Sequence, residues 1–307
     1  MDAPQRNPEL EAAAFADVDD LDAWRVYADW LQTHGDPRGE IAGLAVELGE
    51  GYLSRRKQIA ARLRELEAGF VDAWHAWAQT HDLDGVEAKF KRGFAWTLLG
   101  PLAQLRGHLD ALFERDPITR LVLTEVDPEG LAELCAATPA WFERLQYLKL
   151  VGEVGAAGVA ALVPLPLLGL RRLNLLQTEL DDEACGYLAR LQAPRLTHLT
   201  LTANAIGDDG VEALLAAPGR ASWEVLYLTG NPITGASVAR LAFDLALSHL
   251  VGLAVRDIEA PFDDFRVFAD PQVRPSLRWL ELSAGGWWRN RELYDQLRAR
   301  FGDGLKI

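Results

Sequence analysis

Cysteine is scarce in this chain: two in 307 residues, Cys135 and Cys185. Two thiols cannot build a disulfide framework, and without companion histidines they do not make a structural zinc site. Both fall in stretches that read as helices on the outer side of successive repeats, so they are expected to be reduced and partly buried. Long apolar runs are missing as well. Nothing approaches the roughly 18 to 20 apolar residues that a membrane helix needs. The opening MDAPQRNPELEAAA has no basic stretch followed by an apolar one, so it does not read as a secretory signal, and a cytoplasmic location is expected. Positive charge is short: 31 Lys and Arg stand against 45 Asp and Glu, a net charge of −14. The imbalance is concentrated at the start, where residues 1–50 hold 12 acidic residues and 3 arginines. Such a chain is repelled by nucleic acid and by anionic membranes, and it favours a basic or neutral partner.

Signatures of catalysis are also lacking. The six histidines show no i, i+4 pairing and no HExxH, and there is no GxxxxGK[ST] and no GxSxG. The run Asp17 to Asp22, DVDDLD, alternates carboxylates as a calcium loop does. It lacks the central glycine and the distal bidentate glutamate, so it reads as a helix-capping turn. No metal, cofactor or enzymatic activity is expected.

What the chain does have is a period. Leu121, Leu148, Leu173, Leu199, Leu226, Leu253 and Leu280 follow one another at steps of 25 to 27 residues. Each sits in a pattern L-x-x-L-x-L, most complete in LTHLTLTANAI at 196–206, where Leu196, Leu199, Leu201, Asn204 and Ile206 fill the fixed positions. The L-x-L half alternates and suits a strand. The other half suits a helix: GVAALV after Gly155–Ala157, EACGYLARL after Asp181–Asp182, GVEALLA after Asp208–Asp209. Gly and Asp at the junctions supply turn and cap. Neither half can bury its apolar side alone, so the units must stack into a solenoid with strands on the concave side and helices on the convex side. Counting one period back from Leu121 lands on Phe94, the expected first rung or cap.

With the leucines pointing inward, the residues at −1, +1 and +3 from each should line the concave face. That set includes Tyr147, Lys149, Arg172, Asn174, His198, Thr200, Tyr227 and Trp279, and also Arg120, Val122, Val225, Gly252, Ala254, Arg256 and Glu281. It holds four basic residues and one acidic one, so the face should be mildly basic on an acidic protein. Tyr, Trp and Arg favour interfaces, although strands also favour Thr, Val, Tyr and Trp for their own sake.

Before residue 93 the chain reads as helical. Leu21, Trp24, Tyr27, Ala28 and Leu31 share one helix face, with Asp20 or Asp22 as cap and Gly35 as stop. In Asp36-Pro37-Arg38-Gly39-Glu40 the expectation is a turn with Asp36 as cap of the next helix and Pro37 at its first position. Arg38 and Glu40 would pair with Asp29 or with each other, and the same five residues could form a docking loop. After Trp287–Trp288, Glu292 to Phe301 reads as an amphipathic capping helix under which that tryptophan pair should pack.

Over roughly residues 94–290 the pattern resembles the ribonuclease-inhibitor-like class of leucine-rich repeats. It departs from that class where Glu153, Thr178 and Ile258 replace the asparagine found at 204 and 231, so those rungs should lose its side-chain bonds to the loop backbone. Residues 23–44, with Val26-Tyr27-Ala28-Asp29-Trp30-Leu31 followed by the 36–40 turn, resemble the repeat-companion domain of myxobacteria and planctomycetes. That resemblance implies a bacterial source and little about activity. The expected organisation is an α-helical companion domain at 1–50, a helical linker or N-terminal cap at 51–92, an α/β leucine-rich solenoid at 93–288 and a capping helix at 289–307. The expected function is a monomeric, non-enzymatic scaffold that binds a protein on its concave face. The alternative is an acidic inhibitor or antidote that covers a basic enzyme or toxin.

Overall fold

The computed structural model describes residues 6–16, 20–50, 55–83, 85–137, 139–283 and 287–307. Asp17, Val18 and Asp19 of the acidic turn lie outside them. The chain divides into two units: residues 1–99 with 108–118, and residues 100–107 with 119–307.

In the first unit the helices are α1 (Pro8–Ala16), α2 (Leu21–Thr33), α3 (Arg38–Gly49) and α4 (Arg56–Gln79). Asp20, not Asp22, caps α2, its carboxylate accepting from the Asp22 and Ala23 N–H groups. Gly35 ends the segment at φ +72°, a conformation that costs glycine nothing. Ala14, Trp24, Tyr27, Ala28, Leu31, Ala42, Val46 and Phe94 form one buried cluster. Phe94 opens a strand. β1 (Glu87–Lys91) and β2 (Phe94–Pro101) form an antiparallel hairpin, turned by Arg92 and Gly93, both at positive φ. The short helices α5 (Leu102–Leu105) and α6 (Leu109–Arg115) follow.

The second unit is a stack. Its strands are β3 (Arg120–Val126), β4 (Tyr147–Gly152), β5 (Arg172–Asn174), β6 (His198–Thr200), β7 (Val225–Tyr227), β8 (Gly252–Val255) and β9 (Trp279–Leu282). They pair in parallel in sequence order, and the seven period leucines are register partners throughout. Each of those leucines is at most 1% exposed. Between the strands run α7 (Pro128–Ala136), α8 (Gly155–Leu162), α9 (Asp182–Leu188), α10 (Asp208–Leu215) and α11 (Gly235–Phe243). After β8 the helical half tightens to a 3₁₀ segment, Phe262–Ala269, which buries Phe262, Phe265 and Phe268. The helix α12 (Arg291–Phe301) buries Leu293, Leu297 and Phe301. A strand absent from the sequence reading, β10 (Leu305–Lys306), then pairs in parallel with β9. Of the tryptophan pair expected beneath α12, Trp288 is 62% exposed, and the Trp287 side chain lies outside the described residues.

The turn after each strand repeats a backbone device. Glu125, Gly152, Gln177, Ala203, Gly230 and Asp257 all have positive φ, and each lies four residues after its period leucine. Asn204 ties these loops together. Its Oδ1 accepts from the Thr178 and Leu180 N–H groups at 3.0 and 3.1 Å, and its Nδ2 donates to Leu175 O at 2.8 Å. Asn231 repeats this with Ile206, Leu201 and Leu228. The substituted rungs keep more than expected, since the Thr178 hydroxyl donates to Leu175 O at 2.9 Å from a fully buried position. The aspartates divide their work. Asp181 caps α9, whereas Gly207 stands at the N-cap of α10 and the Asp208 carboxylate reaches forward to the Thr234 N–H, the Thr234 hydroxyl and Ser237. Burial opposes ionisation of Asp208, but the bonds from Ser237 and Thr234 outweigh it and hold its pKa below the usual value.

Candidate functional site

The strand face opposite the helices is built from two rows. Strand alternation places the residue before and the residue after each leucine on one side of the sheet. In register, the first row reads Arg120, Tyr147, Arg172, His198, Val225, Gly252, Trp279, and the second reads Val122, Lys149, Asn174, Thr200, Tyr227, Ala254, Glu281. All eight candidate contact residues therefore lie on one surface. Arg172 is exposed, and Tyr147, Lys149, Asn174, His198, Thr200, Tyr227 and Trp279 are half-buried.

Four positions expected to be open are closed: Val122, Val225, Gly252 and Ala254 are buried. The case of Gly252 is explicit: a side-chain carbon there would run into the Trp279 indole. Trp279 in turn stands 5.6 Å from the Tyr227 ring, and the Lys306 ammonium sits 5.4 Å from its centroid. At the other end the Arg120 guanidinium lies 4.4 Å from the centre of the Tyr147 ring. The face thus has a basic end, with Arg120, Lys149 and Arg172, and an aromatic end, with Tyr227 and Trp279. His198 stands between them. Burial, and then the charge of Arg172, push its pKa below the usual 6.5, so the ring is neutral at pH 7.

The docking-loop residues are placed differently. Arg38 and Gly39 are buried, Asp36 is half-buried, and Pro37 and Glu40 are exposed. Pro37, not Asp36, is the N-cap of α3, without a side-chain cap bond. Asp36 nonetheless accepts from the Arg38 N–H, the first of α3, at 2.9 Å; it also takes the Arg38 side chain, with Oδ2 2.6 Å from one guanidinium nitrogen, and that guanidinium lies 4.4 Å from the centre of the Phe94 ring. The expected partners of Arg38 and Glu40 are therefore corrected: Arg38 pairs with Asp36, and Glu40 pairs with Arg62 on α4 at 2.9 Å. Gly39 is needed for close approach, since a side-chain carbon there would sit 2.6 Å from Gln32 N.

Both cysteines are buried and free, on α7 and α9, and burial pushes each thiol up to about 12. Such thiols are not nucleophiles at neutral pH. Among the described residues, no group of three or more His, Cys, Asp or Glu side chains could hold a metal ion, and no helix is long and apolar enough to cross a membrane. Three features of the second unit went unread in the sequence: the seat of Trp279 over Gly252, the closing strand β10, and the exposed Phe243 and Leu245, 60% and 92% accessible at the end of α11. None of them carried a signal, and Leu245 even continues the i, i+3, i+4, i+7 spacing of Val238, Leu241 and Ala242.

A family described as "Leucine Rich repeat" matches residues 193–215, the stretch in which Asn204 bonds the neighbouring loop. That stretch is similar to a leucine-rich repeat. The chain is 33% identical over 135 residues to the human protein "NACHT, LRR and PYD domains-containing protein 13". That match covers 43% of this chain but 12% of the human protein. A Listeria monocytogenes internalin structure resembles 57% of this chain and 49% of its own, with 18% identity and a TM-score of 0.35. Leucine-rich repeat proteins generally mediate protein–protein interaction, through the extended surface that stacked repeats create.

Proposed function

We propose that the chain is a non-enzymatic interaction module that binds a protein partner on the strand face, through Tyr147, Lys149, Arg172, Asn174, His198, Thr200, Tyr227 and Trp279. One observation carries the reading. These side chains stand in register on a sheet whose other side is locked by fully buried leucines, so an aromatic and cationic surface is held ready with little ordering cost on binding. The acidic alternative has less support. The carboxylates of Glu11, Asp36, Glu40 and Glu50 are engaged by Arg6, Arg38, Arg62 and Arg25, which leaves less free charge in the first fifty residues for a basic enzyme or toxin. A docking role for the 36–40 turn narrows to Pro37 and Glu40.

Photo-crosslinking tests the reading. A benzophenone side chain at Thr200 should capture a polypeptide in cells of the source organism, and one at the exposed helix-side Glu183 should not. Capture at Glu183 alone would contradict it.

A further inference from the structure

The strand face is not uniform in charge, and its unevenness runs against the composition of the chain. Arg120, Lys149 and Arg172 lie on the two rows, Arg171 immediately precedes β5, and Arg195 lies shortly before β6. None of these five cations makes a salt bridge with a described residue. In the later repeats Arg220, Arg240, Arg256 and Arg266 are each paired, with Asp244, Glu212, Glu281 and Asp263, and Arg278 before β9 is an exception, with no salt bridge to a described residue. A protein with 14 excess negative charges thus leaves cations unneutralised where the strands of the earlier repeats begin. At or beyond the far ends of those strands, Glu125, Glu153 and Glu179 are exposed. The potential therefore falls from positive to negative along the length of each strand, while along the stack the surface changes from cationic to aromatic.

We propose that this surface takes an extended acidic segment of the partner protein, lying across the strands with its carboxylates at Arg120, Lys149 and Arg172 and a large apolar side chain at Tyr227 and Trp279. The proposal rests on the strand-face reading and names its occupant. Carboxylates would gain charge-assisted hydrogen bonds from cations that form no salt bridge with a described residue. The flanking glutamates hold the segment to the cationic side. They also disfavour nucleic acid, whose phosphates recur at every residue and would bring charge within about 10 Å of them, inside the screening length. Spacing sets the segment. Neighbouring strands lie about 4.8 Å apart, so Arg172 on β5 and Trp279 on β9 are about 19 Å apart along the stack, which an extended chain covers in about six residues.

The test is fluorescence anisotropy with the full chain. The probe is a labelled peptide of about ten residues with three glutamates at one end and a leucine about six residues away, its length set by the same spacing. It is made in both chain directions, beside a control with lysine for glutamate. The expected result is that one glutamate peptide binds at least about tenfold more tightly than its lysine control, and that Arg171→Glu with Arg172→Glu removes the difference. Lys149→Glu with Arg195→Glu provides a second variant with the same expectation. Absence of glutamate-peptide binding, equal binding of the lysine peptide, or displacement by a short single-stranded DNA of equal charge would overturn the proposal. Loss on Trp279→Ala without loss on charge reversal would overturn it while leaving the strand-face reading standing. Binding unmoved by every substitution would place the peptide elsewhere and overturn both.

Discussion

The indole of Trp279 occupies the space that a side chain on Gly252 would need. The two residues are register partners on neighbouring strands, so the absence of one side chain positions the other beside Tyr227. Gly252→Ala should push the indole out of its seat at a cost of about 1–3 kcal/mol. Urea unfolding measures the cost. Near-ultraviolet circular dichroism should show loss of the Tyr227–Trp279 pairing in a variant that still folds.

The asparagines that tie successive loops should matter far more than the one on the open face. Asn231 is 2% exposed, and Asn204 satisfies two N–H groups and a carbonyl of the preceding repeat. Replacing either by alanine leaves those backbone groups unpaired, at a predicted cost of about 1–3 kcal/mol. Asn174→Ala, on the strand face, should change stability by no more than about 0.5 kcal/mol. Equilibrium unfolding of the three variants decides between them.

The turns differ in what they tolerate. Gly152 has φ +139°, and a side-chain carbon there would collide with the backbone of Val126. Gly152→Ala should therefore cost more than about 1 kcal/mol. At the equivalent Ala203, with φ +56°, Ala203→Gly relieves a left-handed strain of about 1–2 kcal/mol but gives back a comparable entropy in the unfolded chain. The measured change should be small and of the opposite sign.

These turns also show where sequence reading reached its limit. The leucine period fixes strand register, because a one-residue slip would turn every leucine away from the core, and the structure keeps all seven in line. The left-handed turn was invisible because Glu125, Gln177, Ala203 and Asp257 carry no glycine signature. The cap rule sends Asp36 to the start of the helix and is silent on its other role: the same carboxylate accepts from the Arg38 N–H and from the Arg38 guanidinium together. The open or closed state of the strand face could not be read from alternation alone. Alternation states which side a residue faces, not whether Trp279 lies over its neighbour.

Two pH dependences follow from burial. The thiols of Cys135 and Cys185 have folded pKa values near 12, above the usual 9.0. A raised folded value means that their contribution to stability is fully present below about pH 9 and is lost as pH rises toward 12. Both should also resist alkylation at pH 8 until the chain unfolds, which mass spectrometry after iodoacetamide can follow. For His198 the folded value is depressed by burial and by Arg172. Its contribution is present above the unfolded pKa and falls away as pH drops through the folded one. Arg172→Ala should raise the His198 midpoint in an NMR titration.

The most direct test of the strand-face reading is calorimetric titration of the partner captured at Thr200, using the wild-type chain, Tyr227→Ala and Trp279→Ala, with thermal melts of all three. Each substitution is predicted to weaken binding by about 1 kcal/mol or more while the melting temperature stays within a few degrees. Undiminished affinity in both variants, with or without a lowered melting temperature, would contradict the account.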